Sequence, residues 1–88
     1  TAQGGMRMFN NRTADGRNNI CGVKVAKLRK GLKISQREVA DRLQLIGLDI
    51  DKNAVQRIES GQRFVTDIEL ISLAKVFSVS ITDLLERD

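Results

Sequence analysis

Four polar side chains at helical spacing offer the clearest chemistry in the chain. Lys52, Asn53, Gln56 and Arg57 fall on the outward side of a stretch in which Val55 and Ile58 turn inward. An ammonium, two carboxamides and a guanidinium on one exposed face can donate and accept hydrogen bonds, and none of them is a nucleophile or a general base near neutral pH. They can reach a ligand. The composition points the same way, because there is no His and Cys21 is the only cysteine. The common zinc arrangements, and the thiol–imidazole and serine–histidine arrangements of catalysis, therefore cannot be assembled. No enzymatic activity, no cofactor and no metal are expected. Cys21 itself sits at the edge of a helical pattern, where a lone cysteine reads as a small buried hydrophobe.

The elements that must position those four residues are two short amphipathic helices joined by a turn, running from Ser35 to Gly61. In the first, Val39, Ala40, Leu43 and Ile46 recur on one face of a 3.6-residue period, and Gly47 supplies the stop. The second begins after Asp51, a natural N-cap, and ends at Gly61. Ser35 with Glu38 has the spacing of a capping box, and Ile34 with Val39 that of a hydrophobic staple. Thr66 with Glu69 and Ser80 with Asp83 repeat the box further on. Before this pair, Cys21, Val25, Leu28 and Leu32 mark a first helix, with Lys24, Lys27, Lys30 and Lys33 on its solvated side. After it, Ile68, Leu70 or Ile71, Ala74 and Phe77 mark a fourth. Ile81, Leu84 and Leu85 belong to a short last helix that packs back on the core. The chain thus reads as all-α, a compact helical domain from about Ile20 to Leu85.

With 88 residues and only three aromatics, the core must be aliphatic. At this size a chain buries only ~60% of its unfolded surface, so the margin of stability is small. No apolar run approaches the roughly 18 residues of a membrane span and no signal-peptide pattern opens the chain, so a soluble, cytoplasmic protein is expected. Residues 1–33 hold eight Lys or Arg against one acid, whereas residues 34–88 hold seven against ten. That asymmetry suggests a basic arm or face attracted to a polyanion. Residues 1–19 are rich in Gly, Asn and Arg without apolar periodicity. They read as a disordered basic arm, or, for TAQGG ahead of Met6, as part of an expression tag. Arg7, Arg12 and Arg17 in this arm are expected to add non-specific affinity. Residues 20–88 form the helical domain.

The segments KLRKGLKISQREVADRL and NAVQRIESGQRFVTDIELISLAKVFSVSITDLL resemble the phage-repressor-type, or Cro/C1-type, helix-turn-helix family, also called the xenobiotic-response-element (XRE) family of bacterial regulators. The resemblance covers about Ile20 to Leu85. Its most specific pieces are LR followed six residues later by SQ, then RIESGQR, then the ELISLAKVFSVSITDLL ending. It implies a lambda-repressor-like bundle of five helices whose second and third form the DNA-reading unit. It also implies a homodimer working on a two-fold symmetric DNA operator. Carried over residue by residue, it places Gln36 on a DNA phosphate at the start of the second helix. Lys52, Asn53 and Arg57, with Gln56 as the lesser candidate, fall where base edges are read. Arg63 and the backbone around Phe64 fall where the following loop touches phosphate. Arg29 and Glu59 correspond to a pair that bridges the first and third helices. The chemistry is compatible, since Arg or Lys can donate to guanine O6 and N7, and Asn can pair with adenine N6 and N7.

The chain departs from the family pattern in two respects, an insertion and the residue at 33. Gln44 stands four residues after Ala40 where a Gly is usual, and Val55 follows at fifteen rather than ten, an insertion of about five residues. These read as one more turn of the second helix, through Ile46, and a longer connection GLDID. Asp49 and Asp51 there would repel phosphate unless they cap or face away. Lys33 occupies a position that often takes the left-handed conformation, which costs a residue with a Cβ ~1 kcal/mol. The implied function is a sequence-specific transcriptional regulator, expected to repress, with the dimer contact on the last helix and its connection. The alternative is a protein-interaction module such as an antitoxin or a bridging factor. It draws on the near neutrality of Ser35 to Phe64, which carries five basic and five acidic residues.

Overall fold

The computed structural model describes residues 12–86. Five helices account for the regular structure of these residues: α1 (Cys21–Leu32), α2 (Gln36–Leu45), α3 (Lys52–Ser60), α4 (Asp67–Phe77) and α5 (Ile81–Leu85). None is long and apolar enough to cross a membrane. The helices start where short polar side chains can take the first free backbone N–H groups. Ser35, Asp51, Thr66 and Ser80 each accept from the amide three residues on. At Thr66 and Ser80 the box is reciprocal. At Ser35 only half of it forms, because the Glu38 carboxylate turns to Arg42 Nε, 3.2 Å away one turn along the helix. Lys33 ends α1 in the left-handed conformation, at φ 60° and ψ 39°. Ser78 ends α4 in the same way, without the glycine that would announce it.

Each helix contributes to one aliphatic core. Val25, Val39, Leu43, Val55, Ile58, Leu73 and Leu84 are fully buried. α1 lies against α3, α4 and α5, and α2 lies against α3 and α4, so α3 is held from two sides. Several apolar residues expected inside point outward instead. Ile46 is 48% exposed because α2 stops at Leu45, and Leu48 packs on the core in its place. In α4 the inward set is Leu70, Leu73, Ala74 and Phe77, which leaves Ile68 at 68% and Ile71 at 45% exposed. That helix is apolar nearly all round, so its periodicity alone does not fix its phase. Leu32, Ile81 and Leu85 are likewise half-exposed at helix ends.

The inserted residues form a compact turn between α2 and α3. Gly47 takes φ +95°, open to a residue without a Cβ. Gln44 Nε2 donates to the Ile50 carbonyl at 2.8 Å and ties the end of α2 to the approach of α3. Asp51 faces its own helix, its Oδ1 accepting from Ala54 N at 2.9 Å. Asp49 stays exposed.

Ahead of α1, the described residues from 12 to 20 pack against the helical domain. Thr13 to Gly16 make a turn closed by Thr13 N donating to Arg17 O and Gly16 N donating to Thr13 O. The chain then runs along the end of α3 before α1 begins. Arg7 and the rest of residues 1–11 lie outside the described residues.

Candidate nucleic-acid interface

α3 is short and strongly two-sided. Ala54, Val55 and Ile58 are buried, and Lys52, Asn53, Gln56 and Arg57 are all exposed, so the four expected base-reading residues share one open face. That face borders a shallow polar depression lined by Arg37, Asp41 and Gln44 of α2 and by Asp51, Lys52 and Asn53 at the start of α3. Two cations and two carboxylates line it, with carboxamides between them. Such a surface can hydrogen-bond to a patterned polar partner and has little net attraction for an anion.

One carboxylate fixes how α3 meets the rest of the pair. Glu59 Oε2 accepts from Arg29 Nε at 2.6 Å and Oε1 from Arg29 Nη2 at 3.0 Å, a two-pronged contact between α1 and α3. Glu59 Oε1 also accepts from Gln36 Nε2 at 3.0 Å. The Gln36 side chain is thereby steered by α3 while its backbone opens α2, where N–H groups have no partner within the helix. Its second amide hydrogen and its carbonyl oxygen remain for another partner.

Arg63, expected on phosphate, is paired within the protein. Its Nη1 and Nη2 donate to Glu69 Oε1 and Oε2 at 2.8 and 3.0 Å, and Nη1 also reaches the Phe64 carbonyl at 3.3 Å. Glu69 in turn accepts from Thr66 N. The Arg63 hydrogen bonds, followed by those at Thr66, hold the Glu69 carboxyl below its ordinary range against the cost of burial. Glu69 likewise raises Arg63. The ion pair stiffens the connection between α3 and α4 and offsets the charge of Arg63 within the protein. Phe64 beside it is more than half exposed.

A family model described as helix-turn-helix matches residues 25–84. The chain belongs to the Cro/C1-type helix-turn-helix family. This helix-turn-helix protein is accordingly a DNA-binding regulator in the general sense of its family. No curated protein and no solved structure matches it. Among the described residues of the helix-turn-helix protein, no three or more His, Cys, Asp or Glu side chains are grouped to hold a metal ion.

Three residues ahead of α1 complete the surroundings of α3: Arg17, which the sequence placed in a basic arm, and Asn18 and Asn19, which it passed over. Arg17, Asn18 and Asn19 hydrogen-bond to its C-terminal end and the loop beyond. One local signal marks them: Asn19 Oδ1 accepts from Gly22 N at 2.8 Å, the three-residue spacing of a capping side chain just ahead of α1.

Proposed function

We propose that the protein is a sequence-specific transcriptional repressor that lays α3, from Lys52 to Ser60, in the DNA major groove. The observation that carries this reading is the face of α3 on which Lys52, Asn53, Gln56 and Arg57 are all exposed while Val55 and Ile58 are fully buried. Side chains of these types match the donor and acceptor pattern of base edges. Gln36 and the loop at Arg63 and Phe64 lie against phosphate and set the register, a role that carries no sequence information of its own. Two copies act on a two-fold symmetric operator in the cytoplasm, because one nine-residue helix touches too few base pairs for useful selectivity. Ile81 and Leu85, half-exposed on α5, are the contact surface of that dimer. Repression follows from occupying promoter DNA.

The test is an unbiased selection of bound oligonucleotides, followed by gel-shift titration of the selected site against random DNA. A preference of ~10³ or more, with two protomers per site, is expected. Binding no tighter than to random DNA would overturn the reading. It would favour the second one, a protein-interaction module such as an antitoxin or a bridging factor. The observation on that side is the apolar tip of the α2–α3 turn, where Leu45 is 85% exposed beside the half-exposed Ile46.

A further inference from the structure

The backbone carbonyls at the end of α3 and in the loop after it lack the helical amide partner four residues on; from the backbone, Ile58 accepts only the cap bond from Gly61 N at 3.1 Å, and water would ordinarily satisfy the rest. Here they meet three consecutive residues from far away in sequence. Arg17 Nη2 donates to the Ile58 carbonyl at 3.3 Å and to that of Glu59 at 2.8 Å. Asn18 N donates to the Gly61 carbonyl at 2.7 Å, and Asn18 Nδ2 to that of Gln62 at 2.9 Å. Asn19 Nδ2 donates to the Ile58 and Arg63 carbonyls at 3.0 and 2.7 Å. Five carbonyls between Ile58 and Arg63 are taken in this way.

The packing leaves no slack beneath these bonds. A Cβ on Gly22 would lie 1.9 Å from the Ile58 carbonyl oxygen, and one on Gly61 would lie within 3.0 Å of the Arg17 side chain. Gly61 is also the left-handed C-cap of α3, at φ 84°. A guanidinium placed on the negative end of the helix dipole adds attraction to the hydrogen bonds. The segment therefore fixes the height and rotation of α3 at the end away from its Asp51 cap. The family match begins only at residue 25, so this segment lies outside the part of the chain that the match covers.

We propose that Arg17, Asn18 and Asn19 are positioning residues for DNA reading, a clasp that holds the recognition helix by its C-terminal carbonyls. This rests on α3 being the reading helix. Arg17 thus acts from inside the protein and not as a phosphate-gripping member of a basic arm. Loss of the clasp lets α3 tilt and fray over its last turn, the turn that carries Arg57, and contacts that need fixed geometry weaken before contacts that need only charge.

The experiment compares wild type with Arg17→Ala and Asn18→Ala in the full chain, at a temperature where circular dichroism finds each variant folded. Amide hydrogen exchange is read first, without DNA. The amides of Gly61, Gln62 and Arg63 should exchange about tenfold faster or more in Arg17→Ala, with those of α4 unchanged. Binding is then measured to the selected site and to random DNA across a range of salt. Specific affinity should fall about tenfold, random binding should hold, and the salt slope should stay the same. A uniform loss on both DNAs, with the slope reduced by ~0.9, would mean that Arg17 neutralises a phosphate and would overturn the clasp. Unchanged specific affinity despite faster exchange would also overturn it, leaving a purely stabilising role. A wild type without any preferred site would instead remove the reading of α3, and the exchange result would still decide whether the clasp holds that helix.

Discussion

Removing the Glu59 carboxylate tests how much of the fold depends on one shielded contact between α1 and α3. The Arg29 and Glu59 side chains are 14% and 8% exposed, so the pair lies close to the buried limit. Removing one partner of a fully buried pair costs ~3–5 kcal/mol, and an exposed pair is worth ~0–1 kcal/mol. In Glu59→Ala, Arg29 keeps only its Nη1 bond to the Ile34 carbonyl at 3.0 Å, and Gln36 Nε2 loses the carboxylate that accepts from it. A loss of ~2–4 kcal/mol is therefore expected. Total stability for 88 residues is on the order of 4–13 kcal/mol, so the variant should be close to the edge of folding. The midpoint of thermal unfolding should drop by roughly 10–25 °C. Urea titration followed by circular dichroism measures this directly, with the slope as a check that the unfolded state is unaltered. Joint replacement of Arg29 and Glu59 by Met should recover much of the loss, since the cost comes from an unpaired shielded charge. If Glu59→Ala loses under about 1 kcal/mol with the slope unchanged, the pair is solvated in practice and the argument from burial fails.

Three further outcomes are expected. Because Arg63 holds the Glu69 carboxyl below its ordinary value of 4.5, the pair stabilises the fold above that pH. Stability should fall as the pH drops below it, and Glu69→Gln should flatten that part of the urea-midpoint profile; an equally steep profile in the variant would assign acid sensitivity to other groups. Arg57→Ala should cost ~1–3 kcal/mol on the selected DNA site and relax preference at one position of each half-site, whereas Gln36→Ala should weaken all sequences alike; a base-substitution profile left intact by Arg57→Ala would mean that the longer α2–α3 turn has rotated the reading face away. Burial pushes the Cys21 thiol up to about 11, so it should resist alkylation near neutral pH until urea unfolds the chain, and rapid labelling of native protein would contradict its packing.

What the sequence made legible was the chemistry that acts over a few residues. All four side-chain caps at Ser35, Asp51, Thr66 and Ser80 are local bonds between a side chain and an amide three positions on, and each forms. The inward placement of Val39, Leu43, Val55 and Ile58 follows from spacing in helices with a polar side. Periodicity failed where that contrast is weak, at Ile68 and Ile71 in a helix apolar nearly all round. The Arg29–Glu59 contact came from the resemblance and stands in the geometry at 2.6 Å. The partner of Arg63 was hidden because Glu69 already had a local use, as the reciprocal member of the Thr66 box, and it performs both. The clasp was least legible of all. Its acceptors are backbone carbonyls 39 to 44 residues from the donor side chains, and a carbonyl has no signature in sequence.

The clasp also orders events in time. Arg17, Asn18 and Asn19 leave the ribosome first, and the carbonyls of Ile58 to Arg63 that they hold are made some forty residues later. At ~5–20 residues per second the donors wait roughly 2–8 s for their acceptors, while α1 and α2 can already form. Contacts across so long a stretch of chain close late, because the loop between them must be ordered before they return any free energy. The donor segment is therefore made early and seated late, and a nascent chain presents an unsteadied α3 at least until the loop through Arg63 has been synthesised.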